Sequence, residues 1–470
     1  MHRKTLCAMV FAVAWSAPLP VRAQDTELSK IREEIRQLKD AYEKRIQALE
    51  NRLAEAESRA GRAEQSAARA ATAAAQPGAR AGGENAFNPA ISLILQGTAA
   101  RISQDPDTYR IGGFAPSGGE VGPAPRGFGL GESELIVSAS VDPYFRGQLV
   151  AALTPENELE VEEAFFQTLA LGHGLTLKGG RFLSGIGYQN EIHQHAWDFQ
   201  DAPLAYKAFL GGRLNDDGVQ LRWVAPTELF LELGAELARG RNFPSTEHGR
   251  NGAGAWSVFA HVGGDLGVSA AWRAGLSHLR ASPRGRAFED SDSLGNPVLQ
   301  SFSGRSRLWV ADFIFKWAPR GNASATNFKL QGEYFRRSES GSLTYDDSAG
   351  SALFGPLASA FASRQSGWYL QSVYQFMPRW RVGYRADRLN SGTVENGIVG
   401  SGFGLSASDF ALLMGARKPA RDTLMLDWSP TEFSRIRLQF ASDRSRPGVT
   451  DRQALVQYIF SLGAHGAHRF

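Results

Sequence analysis

The connections between its extended runs constrain this chain more than any other feature. From about Phe87 to Phe470 the sequence holds runs in which apolar and polar residues alternate, the period of a strand with two unlike faces. The connections alternate as well. Short ones, such as Asp142-Pro143, Gly172-His173-Gly174, Ala225-Pro226-Thr227, Gly263-Gly264-Asp265, Met377-Pro378-Arg379 and Ser429-Pro430-Thr431, carry turn residues. Between them lie long loops rich in Gly, Ser, Asn and Asp (residues 102–130, 184–216, 280–304, 338–364 and 390–419), with 154–158 the one brief exception. Tight turns at one rim of a barrel and long loops at the other produce this alternation; a soluble sandwich has no reason to. We count about sixteen runs, an even number as bacterial single-chain barrels require. The expected fold class is all-β, a transmembrane antiparallel β-barrel over residues 87–470.

The last run is the clearest. Ala454, Val456, Tyr458, Phe460, Leu462 and Ala464 alternate with Gln453, Gln457, Ser461 and His465, and the same phase continues through His468 to the terminal Phe470. An aromatic terminus in phase with such a strand resembles the signal read by the barrel-assembly machinery of outer membranes, which makes Phe470, Tyr458 and Phe460 candidate assembly residues. Trp223, Trp317, Tyr334, Trp368, Tyr369, Trp380 and Trp428 lie near strand ends, where interfacial girdles form. Composition agrees: 51 glycines, 10% aromatics and a mean hydropathy of −0.27. No apolar stretch reaches the roughly 18 residues of a membrane helix, a test to which barrel strands are invisible. A net charge of +3 argues against a dedicated nucleic-acid binder.

Residues 1–23 read as a signal peptide: His2, Arg3 and Lys4, an apolar stretch from Leu6 to Trp15, then Val21-Arg22-Ala23 before Gln24. Cys7, the one cysteine, lies within it, so the mature chain would carry no thiol into an oxidising periplasm. Leu28, Ile31, Ile35, Leu38, Tyr42, Ile46, Leu49, Leu53, Ala56 and Ala60 form a heptad seam with a stutter near Tyr42. Residues 24–60 are thus expected as a periplasmic α-helical coiled coil, a rod of about 50 Å, with a homotrimer as the favoured assembly and peptidoglycan a candidate partner. Residues 61–86, dominated by Ala, Gly, Arg and Gln, read as a flexible linker.

Val161-Glu162-Glu163-Ala164-Phe165-Phe166 and Gly180-Arg181-Phe182-Leu183-Ser184-Gly185-Ile186-Gly187-Tyr188-Gln189-Asn190, followed by His193-x-His195-x-Trp197-Asp198-Phe199, resemble the phosphate-selective porin (O/P) superfamily. Chains with these motifs and an N-terminal coiled coil are often labelled zinc-regulated TonB-dependent outer-membrane receptors. The resemblance implies a barrel in the outer membrane of a Gram-negative bacterium and a third long loop that folds inward. TonB-dependent receptors have larger barrels closed by a globular plug, for which residues 24–86 are too few. The reading favoured is therefore a porin passing small hydrophilic solutes or ions, with loop 184–216 as its constriction. A receptor for zinc uptake and an envelope-tethering barrel are the alternatives.

Five residues are singled out for constriction and selectivity: His193, His195, Asp198 and Asp201 in that loop, and Arg181 before it. His193 and His195 would share one face of an extended segment, and imidazoles with nearby carboxylates suit a transition metal. Strand arginines, among them Arg146, Arg222, Arg273, Arg336, Arg381 and Arg385, would favour anions, with Glu162, Glu163, Glu232, Glu236 and Glu333 opposing them. Lysines are scarce, against a phosphate-specific pore. His173, His248, His261 and His278 are scattered and no G-x-S-x-G motif occurs, so an enzyme is not expected, and no resident cofactor either.

Overall fold

The computed structural model describes residues 89–118, 121–140, 142–155, 157–246 and 251–463, together with Arg36. The chain divides into two units at Ala86. In the first, Arg36 is helical and exposed; the other residues expected as signal peptide (1–23), coiled coil (24–60) and linker (61–86) lie outside the described residues, as does Phe470.

The second unit is a closed antiparallel barrel. Eighteen hydrogen-bonded segments make one sheet, and two pairs of these are halves of an interrupted strand, which leaves sixteen strands around the ring. The first eight are β1 (Ala90–Ile102), β2 (Gly127–Leu130 and Ser133–Ser140), β3 (Phe145–Leu153), β4 (Leu159–Thr168), β5 (Leu175–Leu183), β6 (Asn215–Val224), β7 (Phe230–Ala238) and β8 (Ala255–Leu266). The others are β9 (Ala270–Ala281 and Arg286–Ser291), β10 (Pro297–Trp317), β11 (Asn327–Asp346), β12 (Pro356–Met377), β13 (Trp380–Asn396), β14 (Ala420–Thr431), β15 (Ser434–Asp443) and β16 (Asp451–Gly463). Leu93 of β1 lies opposite Leu135 of β2 on one side and Leu462 of β16 on the other, so the sheet joins its own edges. In hydrocarbon an open edge would cost several kcal/mol per unpaired backbone group.

Each expected run falls on one of these strands, and the period of two separates their faces. On β16, Val456, Tyr458, Phe460 and Leu462 are 41–50% exposed, while Leu455, Gln457, Ile459 and Ser461 between them are buried. The outer face is apolar on its neighbours too, and the inner face holds Gln96, Gln220, Gln331, Gln371, Arg385 and Arg437, all buried. Trp223, Trp317, Tyr334, Trp368 and Trp428 are exposed on the outside, and Trp380 stacks on Trp428 with ring centroids 5.8 Å apart. Tyr369 departs from the expected girdle: one residue out of phase with Trp368, it points inward and is buried.

Two boundaries also differ. Gly263-Gly264-Asp265 belongs to β8, and the turn is Gly267-Val268-Ser269. The stretches expected as loops 280–304, 338–364 and 390–419 are in part strand, because β10 to β13 run to 21, 20, 22 and 17 residues. A crossing needs about 9–11 residues. Beyond it neither face meets lipid, so Ser- and Gly-rich strand such as Ser338–Thr344 reads as loop.

Candidate functional site

The barrel interior is built around the loop between β5 and β6. Asn190, fully buried, clasps its neck: its side chain donates to the carbonyls of Ser184 and Leu214 and accepts from the Leu214 N–H at 2.7 Å. From there Gly185-Ile186-Gly187-Tyr188-Gln189 reaches the wall of β7 to β11. The Gly185 N–H donates to Glu236 at 2.8 Å, the Gly187 N–H to the Ser277 hydroxyl at 3.2 Å, and the Gln189 N–H to Glu333 at 2.9 Å. Gly187 has φ +70°, and a Cβ there would stand 2.3 Å from Glu333 Oε2, so only glycine suits this close approach.

The loop then forms helix α1 (Leu204–Leu210), all seven residues of which are buried, and closes it at Gly211 with φ +69°. Phe209 stacks on Phe335, centroids 5.8 Å apart, and Tyr206 donates to Glu333 at 2.9 Å. Burying each of Leu204, Phe209 and Leu210 contributes about 1.5–3 kcal/mol to docking. Asp387 of β13 accepts from the first helical N–H, that of Leu204, at 2.9 Å. Residues 184–214 thus pack against the inner faces of the strands; of the loop expected over 184–216, Asn215 and Asp216 already pair in β6.

The structure parts the residues singled out within it. Asp198 and Asp201 face β11 to β15. Arg381 and Gln371 donate to Asp198 at 3.2 and 3.0 Å, and Lys329 pairs with it. Arg385 lies 3.2 Å and Lys207 3.4 Å from Asp201, which Arg421 also contacts. Burial alone would raise both carboxyls, but these cations hold them below the usual carboxylate range. Arg435 and Arg437 donate to the Trp197 carbonyl at 3.0 and 2.7 Å. Arg381 and Arg385, expected to attract permeating anions, are therefore engaged in holding the loop, whereas Arg146 bonds Gln148 and Arg336 is exposed.

His193 and His195 face the opposite wall. His193 caps a 3₁₀ turn and His195 lies within it, so the segment is not extended, and their rings stack 5.8 Å apart. Their partners come from β2 and β4. On β4 the sequence breaks the strand period with two consecutive carboxylates. Val150 of β3 pairs with Glu163 and Ala151 with Val161, so Glu162 is the extra residue of a β-bulge, and both Glu162 and Glu163 are buried inside. Bulges re-aim side chains in this way. His193 Nδ1 is 3.2 Å from Glu134 and 3.2 Å from Glu162, and its Nε2 is 3.0 Å from Glu163. His195 Nδ1 is 2.9 Å from the other oxygen of Glu134. Arg213 pairs with Glu162 and, at 2.7 Å, with Glu132. Burial would lower the His193 imidazole, but Glu134, Glu162 and Glu163 raise it well above its ordinary value. Glu132, Glu134 and Arg213 had no marker in the sequence; the Glu162-Glu163 pair did, as a violation of the strand period.

Between the loop and the wall of β1 to β6 is a cavity of about 1140 Å³, lined by seven carboxylates and four arginines. Asp107, Glu158 and Glu160 are exposed at its rim, and Glu132 and Glu162 lie at its buried end. Arg181 lines it too, held by Asp217 through Nε–Oδ1 at 2.7 Å and Nη2–Oδ2 at 3.2 Å.

No family model matches the chain. Its fold is similar, at TM-scores below 0.5, to solved outer-membrane proteins. The trimer form of OmpT of Vibrio cholerae has 9% identity and TM-score 0.48, covering 80% of this chain and 99% of that one. The outer-membrane channel DcaP of Acinetobacter baumannii has 11% identity and TM-score 0.48, covering 81% and 100%. An anion-selective porin from Comamonas acidovorans has 9% identity and TM-score 0.46, covering 80% and 99%. An uncharacterized protein of Aquifex aeolicus (strain VF5) is far nearer in sequence, 30% identical over 422 residues that cover 82% of this chain and 81% of that protein. With that identity over most of both lengths, the chain belongs to the same family as the Aquifex aeolicus protein.

Proposed function

We propose that the protein is an outer-membrane channel of the porin type, admitting small hydrophilic solutes or ions by passive diffusion, with loop 184–214 as its constriction. One observation carries the reading: a closed ring of sixteen strands with an apolar outside encloses a polar interior containing a cavity of about 1140 Å³. Such an outside suits lipid and such an inside suits water. Asp198 and Asp201 anchor the constriction to the arginines of β13 to β15, His193 and His195 anchor it to β2 and β4, and Arg181 stands in the cavity wall. With the arginines engaged and carboxylates at the rim, the channel favours cations weakly over anions.

On the same reading the chain sits in the outer membrane of a Gram-negative bacterium as a homotrimer. Residues 24–60 form a periplasmic coiled coil that can reach peptidoglycan. Phe470, with Tyr458 and Phe460 in phase before it, is the mark read by the assembly machinery. Kinship with the phosphate-selective porins rests on Val161–Phe166 and Gly180–Asn190 and does not extend to phosphate, since lysines are scarce and Arg181 and Arg213 in the cavity wall are paired with carboxylates.

Conductance in planar bilayers tests the proposal. The full-length protein is expected to give small steps, and a variant with residues 187–210 replaced by a short Gly-Ser link several-fold larger ones. A barrel that inserts yet conducts in neither form would overturn the channel reading; equal steps in both would overturn the constriction.

A further inference from the structure

We propose that Glu134, Glu162 and His193 form a seat for a divalent transition-metal ion of the zinc class, tying the inserted loop to the β2–β4 wall at the buried end of the cavity. One donor atom from each of the three residues falls within 4.8 Å of the others. The contact at His193 is the informative one. Its Nδ1 stands 3.2 Å from a Glu134 oxygen and 3.2 Å from a Glu162 oxygen. A ring nitrogen carries one proton or one lone pair, so it cannot make a full hydrogen bond to both. Glu134 Oε2 in fact accepts no hydrogen bond, although Glu134 is completely buried. Two carboxylate oxygens thus stand 3.2 Å from one imidazole nitrogen, with all three donors within 4.8 Å, close enough to share one ion. Donors around a tetrahedral zinc at about 2.1 Å lie about 3.4 Å apart.

The surroundings complete the case, because metal ligands need partners that hold them in orientation. Glu163 lies 3.0 Å from His193 Nε2 and fixes the ring. His195 lies 2.9 Å from the second oxygen of Glu134, and Arg213 binds the second oxygen of Glu162. Each of the three donors is thereby oriented through the atom it does not offer. Access exists as well: Glu162 lines the cavity, and the carboxylates at the cavity rim draw cations inward. Two carboxylates with an imidazole select a zinc-class ion over an all-oxygen cation. Asp198 and Asp201, which follow the two histidines in the loop, bind the opposite wall and take no part.

This seat does not depend on whether the barrel conducts, and its test needs no conductance. Zinc chloride is titrated calorimetrically into the full-length, EDTA-treated protein in detergent near neutral pH. One equivalent per chain is expected, weakened at least tenfold by Glu134→Gln and by His193→Gln, and unchanged by Asp409→Asn. Heat-modifiable migration on gels shows whether each variant remains a folded barrel. Absence of binding to the unsubstituted protein overturns the proposal and leaves His193 as an ion-pair clasp; undiminished binding by both folded variants overturns it in favour of another site. If either variant does not fold, anomalous scattering from zinc-soaked crystals of the unsubstituted protein decides. A peak beside His193 Nδ1 supports the seat, and a peak elsewhere or none rejects it.

Discussion

Single residues in this barrel hold the loop by charge, and their removal has measurable consequences. Asp201 answers Arg385, Arg421 and Lys207 in a buried position. Asp201→Asn would leave those cations under-compensated, and breaking such a buried pair costs about 3 kcal/mol, roughly a hundredfold in the population of released loop. Proteolytic cleavage after Lys207 in the folded barrel should accelerate by about that factor. A second residue ties outer segments together. Burial pulls the Asp409 carboxyl up, but hydrogen bonds from Ser293 and Ser406 hold it down at about 2. Because its folded value lies below the ordinary carboxylate value of about 4, the tie is at full strength above that pH. It is lost as pH falls through about 2, so exchange of the Ser293 amide, which donates to Asp409 at 3.0 Å, should quicken across that window. At this scale the sequence was half legible. His193, His195, Asp198 and Asp201 stand out by type and spacing, yet which wall each faces depends on where a loop of about thirty residues crosses the bore. Glu134 and Arg213 carried no mark because an isolated charged residue on a strand or loop is usually solvated.

Strands were read more surely than their limits. A run such as Val456 to Leu462 alternates because one face meets lipid, so it survives in any register that closes the ring. That assignment is checked by charge. Val456→Arg should destabilise the barrel by about 2–4 kcal/mol in denaturant unfolding from lipid vesicles. Gln457, the next residue, is buried inside, and Gln457→Glu should cost markedly less; equal costs would mean that the two faces are misassigned. The outer parts of β10 to β13 were missed because their outward face meets water and carries Ser, Gly and Thr, while the apolar residues, Phe302, Leu343 and Phe361 among them, are buried on the inside. The bulge at Glu162 left a trace, two adjacent acids in a strand, but the trace does not say which of them is the extra residue. Pairing with Val150 and Ala151 does.

For the molecule as a whole, barrel and coiled coil are expected to be separable. Deleting residues 25–60 should leave single-channel conductance unchanged while abolishing co-sedimentation with peptidoglycan; lost conductance would show that the helix is part of the channel. The sequence by itself determined the sixteen-strand barrel, because period-two polarity and the alternation of short and long connections are local properties that a bilayer enforces on every strand alike. It also marked the third long loop as unusual. Only the tertiary structure decided what that loop does: which arginines it neutralises, which histidine meets which glutamate, and where space remains. Those outcomes rest on contacts between residues up to 240 positions apart, such as Arg437 with Trp197. No local pattern encodes them, since a charge on a strand looks the same whether it faces a pore or a partner.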